Sequence, residues 1–124
     1  MIIYVSGPMT GIEDYNRPMF NIVSAYLEAF GHQVINPAVP DLEIPDDAPH
    51  HVWMRRALGL LLNAEAIYML PGWYRSKGAV VEYLVARSCG MAVVGYASGA
   101  SKRITVGVGK GPVEVLEFYD NLRS

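Results

Sequence analysis

A single cysteine, Cys89, stands among the 124 residues of this chain. One thiol closes no intrachain disulfide, so the fold has no covalent staple, and a reducing compartment suits it. There is also no apolar run near the ~20 residues that a membrane-spanning helix needs. The opening Met1-Ile2-Ile3-Tyr4-Val5 lacks the basic flank of a secretory leader and breaks at once into Ser6-Gly7-Pro8. A soluble, cytoplasmic protein without a membrane partner is therefore expected. Neither sign of charge dominates: ten Lys and Arg against twelve Asp and Glu leave a net charge of −2. A basic stripe is absent, so nucleic acid is not an expected partner. The dinucleotide GxGxxG and the phosphate loop with its Lys-Ser/Thr are both missing. His50 and His51 have no cysteine or acid at ligand spacing, so they read as helix-entry residues, and no metal or cofactor is expected.

Apolar residues are plentiful. With 52% hydrophobic and 18% charged residues, disorder is excluded, and a sheet covered on both faces is favoured. The length suits one domain over residues 1–124. Ile2 to Val5 reads as a first strand, closed by the loop Gly7-Pro8-Met9-Thr10-Gly11. That loop is either a phosphate cradle, in which free backbone N–H groups converge, or simply a tight turn between strand and helix. A helix follows, with Pro18 at its start and Phe20, Val23, Ala25, Leu27 and Phe30 as its apolar stripe, and Gly31 stops it. Gln33 to Asn36 is a second strand. The segment from Pro37 to Pro49, with four prolines and four acids, is a long loop of the kind used for binding or as acidic surface. A helix from about His51 to Ala64 should turn Trp53, Ala57, Leu60, Leu61 and Ala64 inward. Ala66 to Leu70 is a third strand and Met91 to Gly95 a fourth. Ile104 to Val108 reads as a fifth, edge strand, and Val113 to Leu122 as a helix. Alternating strands and helices predict a three-layer α/β/α fold with a parallel four- or five-stranded sheet, flavodoxin- or Rossmann-like.

The most informative stretch lies between the third and fourth strands: Pro71-Gly72-Trp73-Tyr74-Arg75, then a helix opening near Gly78 and closed by Gly90. Inside it Glu82 sits among Val80, Val81, Tyr83, Leu84, Val85 and Ala86. A helix so apolar is normally buried, and a buried carboxylate needs partners or a polar cavity. Glu82 is thus either salt-bridged in the core, with Arg55 or Arg56 as its partner, or lines a pocket; we favour the pocket. In a parallel sheet, ligands bind beyond the carboxyl ends of the strands, which places the loops after strands one and three on one rim, with Glu82 a turn beyond. Cys89, in the last turn of that helix, reads as a small core residue.

Taken together, Gly7-Pro8-Met9-Thr10-Gly11, Asp14-Tyr15-Asn16 and Pro71-Gly72-Trp73…Ser76-Lys77-Gly78-Ala79…Glu82 resemble a family of uncharacterised phage and bacterial proteins. That family is similar in turn to the nucleoside 2-deoxyribosyltransferases and the deoxynucleoside 5′-monophosphate N-glycosidases. The resemblance covers roughly Ile2 to Val94, and its most specific piece is Ser76-x-Gly78-x-x-x-Glu82-x-x-x-Ala86. It implies Glu82 as a nucleophile and Ser76 and Gly78 as phosphate contacts. It also implies a sugar or phosphate cradle from Ser6 and Gly7 through Met9, Thr10 and Gly11. The enzymes usually carry an aspartate in the helix before strand three, where this chain reads Arg55-Arg56-Ala57. Asp14 or an acid from the long loop is the candidate to replace it, and Asp14, Tyr15, His50 or an acid from that loop are the candidates to protonate the leaving base. Trp73, Tyr74 and Tyr15 are available to stack on a base, and Arg17, Arg75 or Lys77 to neutralise a phosphate. The expected function is cleavage or transfer at the N-glycosidic bond of a deoxynucleoside or its 5′-monophosphate. The alternative is a non-catalytic nucleotide-binding module of the same fold. The expected partners are a small nucleoside or nucleotide and further copies of the chain, as a homodimer or larger.

Overall fold

The structure is a computed structural model, and it describes residues 1–39, 43–95, 103–108 and 111–116. Ile2–Ser6 forms β1, whose two faces enter different cores. Successive side chains on a strand point to opposite sides. Accordingly Ile3 and Val5 join one apolar cluster with Phe20, Val23 and Leu27. Tyr4 joins another with Leu61, Ile67, Met69, Trp73, Ala79 and Tyr83. The first cluster is roofed by α1 (Arg17–Ala29) and the second by α2 (His50–Leu61) and α3 (Lys77–Ser88). Between these layers lie β2 (Gln33–Ile35), β3 (Ala66–Met69) and β4 (Ala92–Gly95). Every residue of β3 is buried, as expected of a central strand covered on both faces.

The strand order is β2-β1-β3-β4, all parallel. The chain first steps from β1 outward to β2, then returns across β1 to β3 and β4. The direction of winding therefore reverses between β1 and β3, and a crevice opens beyond their carboxyl ends at such a reversal. The register sets Ser6 beside Met69, so both strands end level. The loops that leave them touch. The Leu70 N–H donates to the Ser6 carbonyl at 2.8 Å. The Pro8 ring lies 3.8 Å from where a Cβ on Gly72 would stand. The expected common rim is present.

The tail departs from expectation. β5 (Arg103–Val108) is an edge strand as expected, but Gly111–Leu116 is strand β6, not the first turns of a helix. It lies between β4 and β5, antiparallel to both. The remainder of the helix expected over 113–122 lies outside the described residues, as do residues 40–42 of the expected binding loop. Val113, Val115 and Leu116 fit either period over so short a span, and the long-range pairing with β4 decides for the strand.

The helices are also less evenly buried than their composition suggested. In α1 the inward stripe is Phe20, Val23, Ser24 and Leu27, while Ala25 and Phe30 are exposed. At 100° per residue Ser24 falls on the buried face and Ala25 rotates off it. α2 ends at Leu61, short of the expected Ala64; within it only Leu61 is fully buried, while Trp53, Ala57 and Leu60, and Ala64 beyond its end, are half-covered. Cys89 is exposed. It occupies the C-cap of α3, and Gly90 follows in the left-handed conformation (φ 72°) that ends the helix. No helix among the described residues is long and apolar enough to cross a membrane.

Candidate active site

α3 begins because Ser76 caps it: the Ala79 N–H donates to the Ser76 hydroxyl oxygen at 3.2 Å. From there Ala79, Glu82, Tyr83 and Ala86 recur at i, i+3, i+4 and i+7, and these are the buried residues of the helix. Val81 and Leu84 face outward and are about half exposed. Glu82 is therefore not a stray acid on a greasy helix. It stands on the face turned to the sheet, with 6% of its surface accessible.

Two hydroxyls from β1 meet it there. Ser6 Oγ donates to Glu82 Oε1 at 2.6 Å, and Tyr4 Oη donates to Oε2. Tyr4 and Ser6 are two residues apart on one strand and so share a face, and that face lies beneath α3. The expected alternative, a salt bridge to Arg55 or Arg56 in the core, gives way to neutral hydrogen-bond donors. Arg56 Nη1 and Nη2 donate to the carbonyls of Pro37 and Val39, at 3.0 and 3.2 Å. Burial pushes the Glu82 carboxyl above the ordinary carboxylate range, and the bonds from Ser6 and Tyr4 pull it partly back. Burial also pushes the Tyr4 phenol far up, and the Glu82 charge and hydrogen bond push it further. Tyr4 is thus a donor at every working pH. The arrangement suits a carboxylate held in one orientation with its charge only partly compensated.

Ser6, expected as a substrate contact, is fully buried and spends its hydroxyl on Glu82. Tyr4 was not among the expected site residues, because in Ile-Ile-Tyr-Val it reads as one more apolar strand residue. Its two-residue spacing from Ser6 is the signal that could have found it. Gly7 is glycine for a packing reason: a Cβ there would lie 2.7 Å from the Leu70 Cβ. Gly11 takes φ 81° with nothing within 4 Å of a Cβ, so it is a turn residue. Met9 packs partly buried against the α1-side core, and Thr10 is exposed. Trp73, expected as an exposed stacking surface, is fully buried with its ring 4.8 Å from that of Tyr83. An indole in the core offers no face to an incoming base, and that expectation is corrected.

Asp14, Tyr15 and Asn16 form a tight turn in which all three adopt left-handed backbone, with φ of 51°, 51° and 62°. For residues other than glycine this costs roughly 1–2 kcal/mol each, and three in succession mark a strained segment beside the rim. Asn16 Nδ2 anchors the turn on the Pro8 carbonyl at 2.9 Å. Asp14 pairs with Arg17 at 3.2 Å, and the Arg17 guanidinium lies over the Tyr15 ring, 5.1 Å from its centroid. Tyr15 is 49% exposed. Gly78 brings the starts of α2 and α3 together: a Cβ there would meet Met54 Sδ at 3.3 Å and His50 Cε1 at 3.7 Å. Next to it, Tyr74, Arg75, Ser76, Lys77, Val80 and Val81 line an open depression of about 400 Å³. No group of three metal-ligating side chains occurs among the described residues.

Solved structures that share this architecture include two 2-deoxyribosyltransferases. The 2-deoxyribosyltransferase of Bacillus psychrosaccharolyticus superposes with a TM-score of 0.64 at 17% identity, over 81% of this chain and 74% of the enzyme. The 2-deoxyribosyltransferase of Leishmania mexicana does so with a TM-score of 0.64 at 18% identity, over 99% of this chain and 85% of the enzyme. The fold is thus nucleoside 2-deoxyribosyltransferase-like. No curated protein matches the chain. Residues 1–95, which hold every element from β1 to β4 and the whole Glu82 centre, match one family description, and the chain belongs to that family, the domain of unknown function DUF4406.

Proposed function

We propose that this protein cleaves or transfers at the N-glycosidic bond of a deoxynucleoside or deoxynucleoside 5′-monophosphate, with Glu82 as the nucleophile. The observation that carries this reading is the buried Glu82 carboxylate, held by the Tyr4 and Ser6 hydroxyls at the carboxyl ends of β1 and β3. Breaking a glycosidic bond passes through an oxocarbenium-like sugar, which an adjacent carboxylate stabilises or traps. A Glu82 oxygen attacks C1′ and forms a glycosyl ester. The C1′–N bond breaks, and its electron pair leaves with the base, which takes up a proton. Water or a second base then attacks C1′ and frees Glu82. Tyr4 and Ser6 fix the carboxylate so that little rearrangement precedes attack. We assign the exposed left-handed turn, with Asp14 and Tyr15, to the base, and Ser76 and Gly78 at the start of α3 to the sugar or phosphate. Thr10 and the backbone from Gly7 to Gly11 close the rim. The likeness of fold to two deoxyribosyltransferases supports this reading in outline.

A second reading, a non-catalytic nucleotide-binding module, draws support from the 6% exposure of Glu82. One experiment separates the two. The protein is incubated with the four deoxynucleosides and their 5′-monophosphates, free base is followed by chromatography, and thermal melts are run on the same panel. Released base that falls on the order of 10³-fold or more in Glu82→Gln supports the enzyme. A ligand-dependent rise in melting temperature without released base supports the binder. Base release that is unchanged in Glu82→Gln removes the nucleophile.

A further inference from the structure

We propose that Glu82 Oε1 is the oxygen that bonds the sugar, and that Ser6, whose hydroxyl donates to it, is a catalytic residue of the second half-reaction, in which the sugar leaves Glu82. Both roles rest on Glu82 being the nucleophile. Position on β1 separates the two hydroxyls that Glu82 receives. Ser6 is the last residue of the strand, two places nearer its carboxyl end than Tyr4. A serine hydroxyl stands one carbon from its own backbone. Oε1, 2.6 Å from Ser6 Oγ, therefore lies at the strand end, where the winding reverses and the crevice opens. The Tyr4 phenol rises from further down the strand and takes Oε2. The backbone under Ser6 is pinned. Its carbonyl accepts the Leu70 N–H at 2.8 Å, it stands in register with Met69, and its side chain is fully buried.

A hydrogen bond to a carboxylate oxygen is stronger than one to a neutral acceptor, and a donor already in place stabilises charge without prior rearrangement. In the first half-reaction a lone pair of Oε1 forms the bond to C1′. The C1′–N pair leaves with the base, which takes up a proton. The Ser6 hydroxyl now faces a neutral ester oxygen, and its bond weakens. In the second half-reaction a water oxygen, or a nitrogen of a second base, attacks C1′ and gives up one proton to solvent. The C1′–Oε1 pair returns to Glu82, and the Ser6 bond regains its strength as that charge forms. Ser6 thus restrains attack slightly and speeds release, which keeps the glycosyl ester short-lived. Burial opposes the charge on Glu82, and of the two bonds that favour it the one from Ser6 weighs more.

The test compares the full chain with Ser6→Ala at pH 8, on the four deoxynucleosides and their 5′-monophosphates. In the variant a burst of free base equal to the protein concentration should precede a slow phase about tenfold below the parent's rate. Acid-quenched samples of Ser6→Ala should carry the mass of the sugar on the peptide that holds Glu82, and those of Glu82→Gln should not. kcat and KM should fall together, leaving kcat/KM, which reports only the steps up to release of the base, undiminished. Ser6→Cys, a weaker donor of similar size, should fall between the two, and it serves alone if the alanine variant does not fold. A Ser6 variant that matches the parent overturns the proposal. So does one that loses kcat/KM in step with kcat, without burst or added mass, since Ser6 then only supports the fold; either result leaves Glu82 as the nucleophile. A parent that releases no base from any compound of the panel removes the functional reading, and this role of Ser6 with it.

Discussion

At the scale of single residues, Glu82 makes the fold less stable whenever it is ionised. Burial lifts its carboxyl above the ordinary range, so the folded chain holds that proton more tightly than the unfolded chain, whose glutamates titrate near ~4.3. The stability linked to the proton is complete below that pH. It is lost as pH rises through the folded midpoint. Glu82→Gln, which removes the charge but keeps the shape, should therefore melt a few degrees above the parent at pH 8, and the gain should shrink toward pH 4. Melts of both proteins across that range check it. A deficit for the variant at pH 8 would mean that Tyr4 and Ser6 compensate the charge in full. The same residue shows what a sequence conceals. Glu82 stood out because acids are rare in apolar helices, whereas Tyr4 and Trp73 were misjudged for one shared reason. An aromatic side chain has both an apolar body and a polar tip, and only distant chain decides which is used. Tyr4 uses its tip on an acid 78 residues away, and Trp73 gives its whole ring to the core.

At the scale of elements, α3 and the loop after β1 depend on small side chains placed where nothing larger fits. Ser76→Ala removes the cap of α3 and should cost about 1 kcal/mol in urea unfolding. Gly7→Ala should cost more, roughly 1–3 kcal/mol, because its Cβ would lie 2.7 Å from the Leu70 Cβ. If the alanine at position 7 is tolerated without loss, the close approach of the two loops is looser than described. The strands and helices themselves were largely legible. Continuous apolar runs mark β1, β3 and α3, an apolar stripe of helical period marks α1, and proline and glycine mark their ends to within a residue or two. β6 was not legible, since a run as short as Gly111–Leu116 carries too little period to separate strand from helix. Its identity comes from pairing with β4 and β5, which no local window contains. The left-handed turn at Asp14-Tyr15-Asn16 was also invisible, since only the last of these types and aspartate tolerate that backbone at all readily.

At the scale of the whole molecule, the face of α1 turned away from the sheet is uncommonly apolar. Met19, Ile22, Tyr26 and Phe30 are all exposed, the last two in edge-on contact at 5.0 Å between ring centroids. We propose self-association through this face, and sedimentation of the parent should give a dimer or larger. Ile22→Asp should shift that distribution toward single chains without unfolding them; a parent that sediments as one chain at every concentration removes the proposal. The rim formed by β1 and β3 was foreseeable from the alternation of strands and helices. The exact partners of Glu82 were not, because topology brings strand ends together without saying which side chains touch. The two hydroxyls stand 76 and 78 positions along the chain from their acid. The centre therefore has no fragmentary form: it comes into being only when β1, β3 and α3 have all docked, and any chemistry it performs doubles as a signal that folding has finished.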